Sequence, residues 1–418
     1  MAPDIPPGMG GFFQGMIGDL LRMLKTDSPL QWDLALQLAQ TVAAEGQAEG
    51  NVDPAERIRL EGLLGVAELH VADVTGMTTS PGGRPLSIVT TGRAEWARRS
   101  LEGWRPVIEQ IAAALAPRDT GAAADGPDAT ADLLASEESG DEALAAFLGR
   151  WTSAVAPAMI AMQVGSVVGH LAQRALGQYD LPLPRRDDGE ILVVPSNATQ
   201  FAEDWSLPPA DLALWLCVRD VAMHAVLTRP HVRTRLESLL SRQATGFRPD
   251  PTALEERLGQ AAAAGMPDLG DLTRLLGDPG TFGELDDSPE LRQVRAELSA
   301  LSSAVEGYAE WVTDTVAARS VGARSAIREA LRRRRVERGD EERVAESLFG
   351  LHLDQDAVDR GESFVRGILE RGGEPELMKL WRDERNLPTP AELDAPGLWI
   401  ERVNLPALGD GEGEPTGR

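Results

Sequence analysis

Leu212, Trp215, Leu216, Val218, Ala222 and Val226 recur at spacings of three and four within DLALWLCVRDVAMHAVLTRPHVR, Asp211–Arg233. That period predicts a largely buried helix, capped by Asp211 after Pro208-Pro209 and stopped at Thr228-Arg229-Pro230. Shorter amphipathic stretches precede it. Met16–Leu24 and Trp32–Glu45 read as helices, the second opened by Asp27-Ser28-Pro29. Asp53 is placed to cap a third, with Pro54 at its first position. Arg93–Ala116 reads as another helix or helix pair, on which Trp96 and Trp104 are expected as core anchors. Ala154–Leu176 is the most apolar stretch, but Pro157, Gln163 and two glycines mark it as a buried helix rather than a membrane span. Its Gly165, Ser166 and Gly169 form a small-residue face suited to close helix packing. Ile191–Pro195 is the one convincing strand.

Further along, Thr252–Ala264 and Leu269–Leu276 read as short helices and Leu291–Val316 as a long one. Val358–Arg371 and Pro375–Arg382 follow, then short elements around Trp399. Pro117–Asp141 is rich in Ala, Gly and Asp and reads as an acidic linker or loop. The expected division is a helical bundle over 1–116, the linker over 117–141, a core over 142–345, a helical cap over 346–405 and a disordered tail over 406–418.

Charge and cysteine usage narrow the partners. A net charge of −25 argues against nucleic acid or an anionic membrane surface. One cysteine, Cys217 in the apolar helix, rules out a disulfide framework and fits a reducing cytoplasm. The opening MAPDIPPGMGGFF has no basic segment or long apolar run, so it does not read as a signal peptide. Arg332-Arg333-Arg334-Arg335 is followed by Glu337, Asp340, Glu341 and Glu342, and reads as a solvated helix face with local ion pairs.

The centre of the buried helix reads Arg219-Asp220-Val221-Ala222-Met223. In an H-E-x-x-H hydrolase, the first and fifth positions hold zinc from one helix face and the second is the general base. Arginine only donates and stays charged, so Arg219 would repel a metal. Asp220 keeps a carboxylate but is one methylene shorter than glutamate, and Met223 is a soft thioether unsuited to zinc. His224 lies one residue past Met223, turned about 100° from it. No Ser/His/Asp or Cys/His set replaces the missing ligands.

The blocks QWDLALQLAQTVAAEG, TTGRAEWARRSLEGWRPVIEQI, MIAMQVGSVVGHLAQRALGQYDLPLP, ILVVPSNATQFAEDWSLPPADLALWLC, EGYAEWVTD and LWRDERNLPTPAEL resemble an actinobacterial family of zinc-dependent metalloprotease-like, zincin-like hydrolases. The resemblance runs from about Phe12 to Val403. It implies a mainly α fold: the N-terminal bundle packed on a zincin-like, mostly helical core with one short strand or hairpin. It also implies that Arg219, Asp220 and Met223 stand where the family has His, Glu and His, a degenerate motif. Glu306 then corresponds to a third, downstream ligand, with Glu310 one turn on. Zinc is expected for the family but not here, so no cofactor is expected. An Arg219–Asp220 or Arg219–Glu306 ion pair would take up the space of the metal. The strand before the motif helix, at Ile191, Val193 and Pro195, is where a peptide would add in the zincin arrangement. The leading expectation is a catalytically inactive pseudoenzyme that binds a protein or peptide. The alternatives are a hydrolase with a site rearranged around Asp220, His224, Glu306 or Glu310, and a structural or assembly protein.

Overall fold

The computed structural model describes residues 30–45, 50, 52–79, 84–115, 158, 160–185, 189–244, 246, 288–337, 339, 346, 349–351 and 354–406. The readings at Met16–Leu24, Pro117–Asp141, Thr252–Ala264, Leu269–Leu276 and the C-terminal tail lie outside these residues.

The chain folds mostly into helices. α1 (Trp32–Ala43) is followed by α2 (Pro54–Thr75), whose Asp53 accepts the N–H of Ala55 at 2.9 Å, the cap its sequence predicts. Strand β1 (Ser87–Thr90) leads into α3 (Arg93–Leu115). A helix over 160–174, α4, precedes β2 (Glu190–Val193), α5 (Pro195–Asp204), α6 (Pro209–Leu227) and α7 (Pro230–Ala244). The second half holds α8 (Pro289–Ser320), α9 (Arg324–Val336), α10 (Gln355–Leu377), α11 (Pro390–Asp394) and α12 (Pro396–Asn404). α10 breaks at Gly373 (φ 69°), just before Pro375, where the sequence separates two helices.

β1 and β2 pair in parallel, with Ser87 level with Glu190 and Thr90 with Val193. The sequence reading missed β1. α2 packs along α6, and one hydrophobic core runs from Leu30 to Val403 across the expected boundaries of bundle, core and cap. Trp96 and Trp104 are buried in it, as expected, and meet edge to face.

Glycines set two of the closest approaches. A Cβ on Gly165 would lie 2.6 Å from the Ala35 carbonyl and one on Gly169 would lie 2.6 Å from Val42, so α4 and α1 touch through the small-residue face. At Gly307 and Gly361 the backbones of α8 and α10 meet directly, since a Cβ on Gly361 would fall 1.8 Å from the Ser303 carbonyl. That crossing fixes the stretch of α8 that carries Glu306. No helix among the described residues is long and apolar enough to cross a membrane.

Candidate functional site

α6 is the central element. Every residue from Leu212 to Leu227 is buried, including Arg219, Asp220 and His224, so its polar groups must be satisfied from neighbouring elements. Asp211 does not cap α6, which starts at Pro209. Its carboxylate accepts the N–H of Ala323 at 2.7 Å and ties α6 to the start of α9.

Arg219 points at α8. Its Nη2 donates to both carboxylate oxygens of Glu306, at 2.9 and 3.2 Å, and its Nη1 donates to the Tyr179 carbonyl at 3.0 Å. Asp220 lies 3.9 Å from the same guanidinium. Both ion pairs named from the sequence therefore form, with Glu306 the close partner. Burial opposes the charge on Arg219, but Glu306, Glu310 and Asp220 outweigh it and raise its pKa.

The second group sits in the loop between α4 and β2. Asp220 Oδ2 accepts the Gln178 N–H at 2.9 Å. The Tyr179 hydroxyl meets His224 Nδ1 at 2.8 Å. Asp180 accepts the N–H of Leu176 at 2.9 Å and pairs with Arg334 at 3.1 Å. Gly177 permits this threading, because a Cβ there would lie 2.1 Å from Asp220 Oδ2. Burial pushes the Asp220 carboxyl up to about 7, although Arg219 and the N–H groups of Gln178 and Tyr179 pull it down.

The third group comes from α9. Arg335 bonds Glu310, which faces the same way as Glu306 one turn earlier on α8. Burial raises the Glu310 carboxyl, but Arg335 and Arg219 outweigh it and hold it below the usual range. The arginine run is only half the solvated face expected of it. Arg332 and Arg333 do sit in the open, paired with Asp359 and Glu329. Arg334 and Arg335 instead turn inward, with side chains 18% and 17% exposed. The signal was available: they follow Leu331 by three and four residues, on the face α9 buries through Ile327, Ala330 and Leu331.

Asp180, Arg219, Glu306, Arg334 and Arg335 from these groups line a cavity of about 90 Å³, together with Trp96, Leu171 and Leu216. It has room for a few waters or a small side chain. Met223 is fully buried in the core and does not line it. Cys217 is buried as well, and its thiol is pushed up to about 12 by burial, so it is no nucleophile.

The expected peptide edge at Ile191, Val193 and Pro195 is closed. Ile191 and Val193 turn their backbones to β1, and Pro195 opens α5. The other edge of β2 is filled by Gln178 Oε1, which takes the Leu192 N–H at 3.1 Å, and by the Leu176 carbonyl, which takes that of Val194 at 3.2 Å. The parallel register leaves the backbones of Ile88 and Thr90 facing away from β2, with no hydrogen-bond partner among the described residues.

The fold is mainly helical and is built around a buried helix whose Arg219 lines a charged cavity. Residues 30–400 match the zincin-like metallopeptidases, and the chain belongs to that family. The crystal structure of a "putative hydrolase with a novel fold" from Chloroflexus aurantiacus is similar over 90% of this chain and 99% of its own. Its TM-score is 0.57 at 22% identity, a likeness of fold. No curated protein matches.

The family implies zinc, and the donors of this site do not fit it. Arg219 is a cation bound to both oxygens of Glu306, Asp220 is taken by a backbone N–H, and Met223 offers only a thioether. Among the described residues, no group of three or more His, Cys, Asp or Glu is placed to hold a metal.

Proposed function

We propose that this chain is a zincin-like protein whose catalytic centre has been replaced by an ion pair, and that it acts by binding an extended peptide or protein segment rather than by hydrolysis. In this reading Arg219, Asp220 and Met223 occupy the positions of a degenerate H-E-x-x-H motif. The observation that carries it is the buried contact between Arg219 and Glu306 at 2.9 Å. The guanidinium supplies the positive charge a metal would bring, yet it has no open coordination position and cannot activate water. A cytoplasmic location fits the single buried cysteine.

The outer edge of β1 is the place for the bound segment, because β2 has no free edge. An extended chain there would bond the outward groups of Ile88 and Thr90. Asp220 is the one observation that favours a metal-free hydrolase, since a carboxyl with a pKa near 7 is suited to general-base work. It is only 3% exposed and does not line the cavity, so no substrate reaches it.

The test pairs affinity selection from a library of extended peptides with mass spectrometry of the same peptides, with and without zinc. Retained but uncut peptides are expected, with retention lost in Thr90→Pro, which removes an outward N–H that β2 does not use. Cleavage, or retention indifferent to Thr90→Pro, overturns the reading.

A further inference from the structure

α2 is apolar on two opposite faces. Leu60, Leu64, Ala67 and Val71 face the core. Opposite them Ala55, Ile58, Gly62, Gly65, Leu69 and Ala72 are all exposed, with Ile58 67% and Leu69 74% open to solvent. Their spacing of three, four, three, four, three residues is that of a coiled-coil seam. An apolar stripe along a helix is ordinarily covered by a neighbour.

The order of sizes along the outward seam says what covers it. From either end it reads small, large, small, small, large, small. In an antiparallel pair related by a two-fold axis between Leu63 and Leu64, Ala55 faces Ala72, Ile58 faces Leu69 and Gly62 faces Gly65 of the other copy. Isologous contacts require such self-complementarity. The two glycines fall at the crossing point, where a Cβ on either would meet nothing within 4 Å among the described residues, so a second backbone can come close.

We propose that the outward face of α2 is the interface of a two-fold homodimer. This goes beyond the reading of the Arg219 site and does not depend on it. The test is sedimentation of the full chain over a range of micromolar concentrations. A dimer is expected, weakened roughly 100-fold or more in Gly62→Gln/Gly65→Gln, where two long side chains hold the helices apart. That variant is expected to fold, because a Cβ at either position meets nothing among the described residues and glutamine favours a helix over glycine. Its thermal midpoint should match or exceed the parent's, measured where both are monomeric. A parent that is monomeric throughout, or a variant that dimerises as tightly, overturns the proposal. Chains with one cysteine added beside the buried Cys217 test the register. Ile58→Cys mixed with Leu69→Cys should form the mixed disulfide on oxidation, whereas cross-linking of Ile58→Cys with itself instead would overturn the antiparallel arrangement.

Discussion

Replacing Arg219 by alanine removes a guanidinium that makes three hydrogen bonds and leaves Glu306, 3% exposed, without its cation. The stranded carboxylate is then left with no cationic partner of its own. Breaking a buried pair from one side costs about 3–5 kcal/mol. Urea unfolding followed by the fluorescence of the nine tryptophans measures it. Arg219→Met/Glu306→Leu should recover most of the loss, because an apolar pair of similar volume strands no charge. The cycle completed by Glu306→Leu then gives the coupling directly. A loss below about 1 kcal/mol for Arg219→Ala, the level of an exposed pair, would refute the argument that the pair holds the site together.

Other outcomes follow from the same geometry. The raised pKa of Asp220 means that the folded state takes up a proton that the unfolded chain releases. Its contribution to stability therefore falls as pH rises from about 4 to about 7, by up to about 1.4 kcal/mol per pH unit. Asp220→Asn keeps an acceptor for the Gln178 N–H and should abolish that slope, read as the difference between variant and parent. Glu310 has the opposite sign: its lowered pKa contributes stability above its ordinary value that is lost on acidification below it, and Glu310→Gln should flatten that part of the profile. Gly177→Ala would force a methyl to within 2.1 Å of Asp220 Oδ2 and should destabilise by about 1–3 kcal/mol, an effect absent at exposed Gly62. Arg219→His/Asp220→Glu/Met223→His frees Glu306 as a third ligand and rebuilds two zinc ligands and a general base on α6. Uptake of one zinc, seen by isothermal titration, is expected, and no uptake would mean that these positions never formed a ligand face.

The parts legible in the sequence carry their own local signal. α6 announces itself by its apolar spacing and bracketing prolines, α2 by Asp53-Pro54, and the α4–α1 contact by Gly165 and Gly169. The opposition of Arg219 and Glu306 was readable only through the family resemblance, since 87 residues separate them. β1 escaped because four residues beside Gly92 are too few for a period. The 176–180 loop escaped for a different reason. It serves the site largely through backbone groups, the Tyr179 carbonyl and the Gln178 N–H, which every residue type carries. Arg334 and Arg335 carry the charge pattern of a solvated face but the helix phase of a buried one.

The central claim is that the Arg219 guanidinium takes the place of a metal. Mass-spectrometric metal analysis of protein purified without chelator, with and without added zinc, tests it most directly. The account predicts no stoichiometric metal in either sample, and no gain when Arg219→Ala alone is analysed. About one zinc per chain in the unaltered protein would contradict it.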